Sequence, residues 1–151
     1  MFAAALTFSC VWLSGCASSP APEKQATPGN GSMTREQVLL QDDVKGKTPT
    51  VFNQGVDEVR KAALRSLTFV GCEIKTQQDY FLSGRRPNKF GLFVGSGGET
   101  VNVYLYPQTD NETHVWVETH KSFVGIAGQQ GWNKQVIDQM TQLINTNSGA
   151  Q

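Results

Sequence analysis

The strongest constraint on this chain is a pair of alternating stretches, ETVNVYLY at residues 99–106 and THVWVETH at residues 113–120, separated by PQTDNE. Apolar residues at every second position belong to strands with one buried face, and Pro, Asp and Asn between them supply turn chemistry. The two stretches therefore predict an antiparallel hairpin. Placing Leu105 opposite Val115 puts Val101, Val103, Leu105, Val115 and Val117 on one face. A one-residue slip would expose that whole set, so this register is the one expected.

The opposite face is rich in aromatic and polar groups. It carries Asn102, Tyr104, Tyr106, His114, Trp116, Glu118 and His120, with Tyr104 expected opposite Trp116 and Tyr106 opposite His114. Phe81, from a preceding strand, is expected to join them. Two readings stand open. Aromatic cross-strand pairs stabilise a sheet in their own right. Left uncovered, Tyr104, Tyr106 and Trp116 would instead form a platform for a glycan or a protein. The two histidines are no metal pair, because six residues of strand hold them about 20 Å apart. Glu118 with His120 falls short of the three or four protein ligands that zinc takes.

Other elements surround the hairpin. Thr50-Val51-Phe52 reads as a short strand and Asn53 as a helix cap, with Val56, Val59, Ala63, Leu67 and Val70 at helical spacing and Gly71 as the stop. Residues 72–76 and 80–86 read as two strands joined at Gln77-Gln78-Asp79. Asn133 is a second cap, ahead of a stripe of Val136, Ile137, Met140, Leu143 and Ile144. The expected fold is α+β: a two-layer sandwich with an antiparallel sheet of three to four strands and two helices on one face, spanning residues 50–146, with a disordered tail at 147–151.

Two glycine-rich apolar loops flank the hairpin, FGLFVGSGG at residues 90–98 and SFVGIAGQQG at residues 122–131. The first enters the hairpin and the second leaves it, so both belong at one end. Phe90, Leu92, Phe93, Val94, Phe123, Val124 and Ile126 are thereby candidates for one contact surface, or for burial under the helices. GSGG precedes a strand instead of opening a helix, so it is no phosphate cradle. Arg85, Arg86 and Lys89 form a small basic cluster at a strand end. Cys72, with no neighbouring His or basic group in sequence, reads as a small buried hydrophobe.

Residues 2–13, FAAALTFSCVWL, carry no charge and are too few to span a bilayer. They have the length of a secretory h-region, although no Lys or Arg stands between Met1 and Phe2. Leu13-Ser14-Gly15-Cys16 then resembles the lipobox of bacterial lipoproteins. The resemblance implies removal of residues 1–15 as a signal peptide and acylation of Cys16. Several acyl chains give stable anchoring where one does not. Ala17 in place of Asp implies the outer membrane in a cell that has one, with the domain facing the periplasm. Residues 17–34 are Ala-, Ser-, Pro- and Gly-rich and read as a flexible tether with a mean reach of about 25 Å. Thr34 to Gln37 fits a capping box for a short helix, ended by DDVKGKTP. The anchor and tether are thus assigned to residues 16–49.

The domain pattern also resembles modules of small uncharacterised bacterial lipoproteins. The helix FNQGVDEVRKAALRSLTFVG and the strand–turn–helix VWVETHKSFVGIAGQQGWNKQVIDQMTQLI carry that resemblance. The lipoprotein subunit of the outer-membrane β-barrel assembly machine has modules of similar topology. These families imply no catalytic residues. Lys plus Arg balances Asp plus Glu at 13 each, so no global field draws in nucleic acid. No Ser, Cys or His sits in a nucleophile motif. The expectation is a non-catalytic binding or assembly module without cofactor or metal. Its partners would be the membrane, through the lipid, and an envelope protein.

Overall fold

The computed structural model describes residues 32–90, 95–121 and 131–148. Their elements run α1 (Arg35–Val38), β1 (Thr50–Phe52), α2 (Val56–Phe69), β2 (Glu73–Gln77), β3 (Phe81–Arg85), β4 (Lys89–Phe90), β5 (Gly95–Ser96), β6 (Thr100–Thr109), β7 (Glu112–His120) and α3 (Asn133–Ser148). The class is α+β. The main sheet has five antiparallel strands in the order β1-β7-β6-β3-β2, and β4 pairs with β5 in a separate ribbon.

The expected count of three to four strands is therefore corrected to five. The extra member is β1, which pairs along the far edge of β7 with Thr50 opposite Val115 and Phe52 opposite Thr113. Three residues suffice for this edge because Phe52 turns inward and is buried. The hairpin register is the expected one, with Leu105 opposite Val115, Tyr104 opposite Trp116 and Tyr106 opposite His114.

Val101, Val103, Leu105, Val115 and Val117 form the sheet's contribution to the main core. Val59, Ala63, Leu67 and Val70 of the α2 region and Val136, Met140 and Ile144 of α3 cover it from one side. Burying side chains of this size contributes about 1.5–3 kcal/mol each. Gly71 ends α2 as expected, at φ 80°. The Cys72 N–H reaches back to the Leu67 carbonyl and the Gly71 N–H to that of Thr68, which closes the helix end. At the other end the cap differs from expectation. Gly55 occupies the N-cap position and makes no side-chain cap bond, two residues beyond Asn53. Trp132 likewise precedes α3, its carbonyl accepting from Val136 N–H. Asn133 instead turns its side-chain oxygen to the Thr119 hydroxyl at 2.6 Å. Helix α3 continues through Ser148, past the expected boundary at 146.

One polar junction ties the end of α2 to β3, β6 and the start of α3. The Arg86 guanidinium donates from Nε to the Val70 carbonyl at 3.0 Å and lies 3.9 Å above the Trp132 ring. Its Nη1 is 3.6 Å from Glu99 Oε2, and the Glu99 side chain is fully buried. Of the basic cluster read from sequence, Arg85 is exposed, while Arg86 faces this junction. Residues 32–49 do not extend away from the domain. They pack on the sheet face opposite the helices, ahead of the domain start expected at residue 50.

Candidate functional site

The outer face of β3, β6 and β7 is where the expected aromatic residues meet. Phe81 stands opposite Tyr104 with ring centroids 5.0 Å apart. His114 lies between Tyr106 and Trp116, its centroid 6.5 Å from the first and 6.2 Å from the second. The alternation of β6 and β7 presents all of these on one side. The face is not an open platform, however. Tyr104 is 4% exposed and Trp116 7%, because residues 33–47, here termed the strap, lie across them.

The strap begins at Met33, whose N–H donates to the Gln78 side chain at 2.9 Å. Helix α1 follows with the expected capping box: Thr34 accepts from Gln37 N–H, and Gln37 accepts from Thr34 N–H. Arg35 sits 4.6 Å above the Tyr106 ring and donates to its hydroxyl at 3.2 Å. Val38 and Val44 are buried against Tyr104 and Trp116, forming with Met33 a second apolar cluster apart from the main core. The sheet separates the two clusters. At the strap's far end the Trp116 indole N–H donates to the Lys47 carbonyl at 3.0 Å, and Lys47 pairs with Glu118 at 2.8 Å. That exposed pair is worth little by itself.

Asp43 is the polar centre of the contact. One of its carboxylate oxygens, Oδ2, accepts from the Tyr104 hydroxyl at 2.8 Å, from the Asn102 amide at 3.3 Å and meets His120 Nε2 at 2.7 Å. A carboxylate only accepts, so this imidazole nitrogen carries the proton. The Ser83 hydroxyl donates to Asn102 Oδ1 at 2.9 Å, which turns the amide's NH₂ towards Asp43. Burial alone would raise the Asp43 pKa. Donation from Tyr104, His120 and Asn102 together outweighs burial and holds it below the ordinary carboxylate value. Burial, and then the bond to Asp43, push the Tyr104 hydroxyl well above the usual phenol range.

The remaining expected site residues divide as follows. His114 pairs with Glu112 at 3.0 Å, away from His120. Among the described residues no three His, Cys, Asp or Glu side chains gather to hold a metal. Among the same residues no helix is long and apolar enough to cross a membrane. Phe90 enters β4 opposite Gly95. Leu92, Phe93, Val94, Phe123, Val124, Ile126 and Cys16 lie outside the described residues. Asp43, Val38 and Val44 were not among the candidates from sequence. The apolar residues and acids of VLLQDDV follow neither strand nor helix period, and only the capping box marked the segment as structured.

No model of a known protein family matches the chain, and comparison with curated proteins gives no match.

Proposed function

We propose that this chain is a lipid-anchored envelope protein whose domain binds or assembles with a partner and catalyses no reaction. One observation carries the reading. An uncharged run at residues 2–13 leads into Leu13-Ser14-Gly15-Cys16 and then into an Ala-, Ser-, Pro- and Gly-rich tract. A processing and acylation site needs that order of segments, and a buried N-terminal helix does not. Cys16 would carry the acyl chains, and Ala17 favours the outer membrane with the domain facing the periplasm. The domain supports the binding half of the reading: its outer sheet face already holds a peptide, supplied by its own strap. The loops at residues 90–98 and 122–131, largely outside the described residues, are proposed from their sequence as a second contact surface.

The test is intact mass and membrane fractionation of the protein expressed in a bacterium, beside Cys16→Ser. The wild type should lose residues 1–15, gain the mass of its acyl chains and sediment with membranes. The variant should do none of these. Two soluble, unprocessed forms would overturn the anchor. Cross-linking from the two loops in the anchored protein would then identify the partner.

A further inference from the structure

The outer sheet face has the chemistry of a receptor for a carboxylate. Four side-chain donors point outward from it: the Tyr104 hydroxyl, the Asn102 amide, the His120 imidazole and the Trp116 indole N–H. Three of them converge on one carboxylate oxygen. They stand on paired strands, and Ser83 fixes the amide. The site is thus preorganised by the sheet, while its acceptor arrives from outside the sheet, on the strap. An aliphatic side chain, Val44, sits beside that acceptor and is buried against Tyr104 and Trp116.

The strap is attached separately from the main core. It has three deeply buried side chains, Met33, Val38 and Val44, in a cluster on the far side of the sheet from α2 and α3. It makes none of the strand pairings of the sheet. Lifting it would break no strand pair of the sheet and remove no residue from the main core, which is the arrangement a separately opening unit needs.

We propose that the face formed by Asn102, Tyr104, Trp116 and His120 is a peptide-binding site for an acidic residue next to an aliphatic one, and that residues 33–47 occupy it in cis as a displaceable placeholder. The partner is a protein segment with that acidic–aliphatic chemistry, which competes with Asp43-Val44. This names the surface and ligand class of the binding module proposed above. It does not depend on the anchor: loss of peptide binding would leave acylation of Cys16 standing, and a soluble protein would leave the peptide site standing.

The experiment uses the full chain and two synthetic peptides, one with the sequence of residues 32–48 and one carrying Asp43→Asn. Binding is read by fluorescence anisotropy of the labelled peptides. Val38→Asn with Val44→Asn weakens the strap without altering the sheet. This variant should bind the Asp peptide at least about tenfold more tightly than wild type does, because the cis occupant no longer competes. The Asn peptide should bind at least about tenfold more weakly than the Asp peptide, since it loses charge-assisted acceptance. No binding by the variant with its sheet signals intact in NMR spectra, or equal binding of both peptides, overturns the proposal. Hydrogen exchange on wild type gives a measurement independent of the variant's folding. Amides of the strap should exchange at least about a hundredfold faster than those of β6 and β7. Equal protection would make the strap a fixed part of the fold and overturn its displacement.

Discussion

Replacing Arg86 by Met tests the reading of the junction between α2, β3, β6 and α3. The variant keeps an unbranched stem of similar length and removes the guanidinium. Glu99 would then be a buried carboxylate that has lost its ion pair with Arg86 Nη1, now at 3.6 Å. Breaking one side of a buried pair costs about 3–5 kcal/mol, since the remaining charge has lost its partner. Loss of the contact with Trp132 adds about 0.5–2 kcal/mol, and loss of the bond to the Val70 carbonyl about 1 kcal/mol. These losses overlap, so the expected net is about 4 kcal/mol. A domain of this size has about 5–15 kcal/mol in all. With a urea dependence of about 1.5 kcal/mol per molar, the midpoint should fall by about 2.7 M. The second arm of the cycle is Arg86→Met with Glu99→Leu, which removes both charges. It should return to within about 2 kcal/mol of wild type, because no orphaned charge remains. Urea unfolding followed by far-UV circular dichroism measures both. A fall of less than about 0.5 M for the single variant would refute the reasoning. So would a double variant no more stable than the single.

Acid should loosen the strap. The Asp43 pKa is depressed in the folded chain, so its contribution is complete above about pH 4 and disappears as pH falls through the lower, folded value. Indole Nε1–H signals of Trp116 in NMR spectra should shift over that window in wild type and stay level in Asp43→Asn. Gly84→Ala should destabilise by about 1–3 kcal/mol in urea, because a Cβ there would lie 2.8 Å from that of Cys72. The Cys72 thiol is buried, and burial raises its pKa to about 11. It should therefore resist iodoacetamide at pH 8 in the folded protein and react within minutes in urea.

The parts of the fold legible in sequence were those set by short-range pattern. Strict alternation in β6 and β7 specified both the hairpin and its register, because only one register buries all five aliphatic residues together. Gly71 marked the end of α2 because closing a helix there needs a positive φ. The membership of β1 was not legible. Thr50-Val51-Phe52 reads as a strand from its residues, but its partner does not, because it pairs with β7 more than 60 residues away. The helix caps were misplaced because a good capping residue, Asn, stood near each start. Gly55 and Trp132 took those positions instead, and Thr119 drew away the Asn133 side chain.

The site was half legible. Tyr104, Tyr106, His114 and Trp116 were placed on one face by the period of two alone. That this face is covered could not be read, since the covering residues are held by tertiary contacts and carry no period. Asp43 illustrates the difficulty. In sequence it is one of two adjacent acids in a polar stretch, and only the sheet's convergence of donors distinguishes it from Asp42.

The order of contacts along the strap gives it a mechanical character. A pull on the N-terminal side of the chain would load the Met33–Gln78 contact first, then Arg35 on Tyr106, then Val38, then Asp43 and last Lys47. The contacts would yield one after another, as a zip does, instead of resisting together. Tension would reach β1, and through it the sheet, only after the whole strap had peeled. Fifteen released residues extend by about 50 Å. Under such a pull the strap would be a stored length of line, let out before the folded body feels the load.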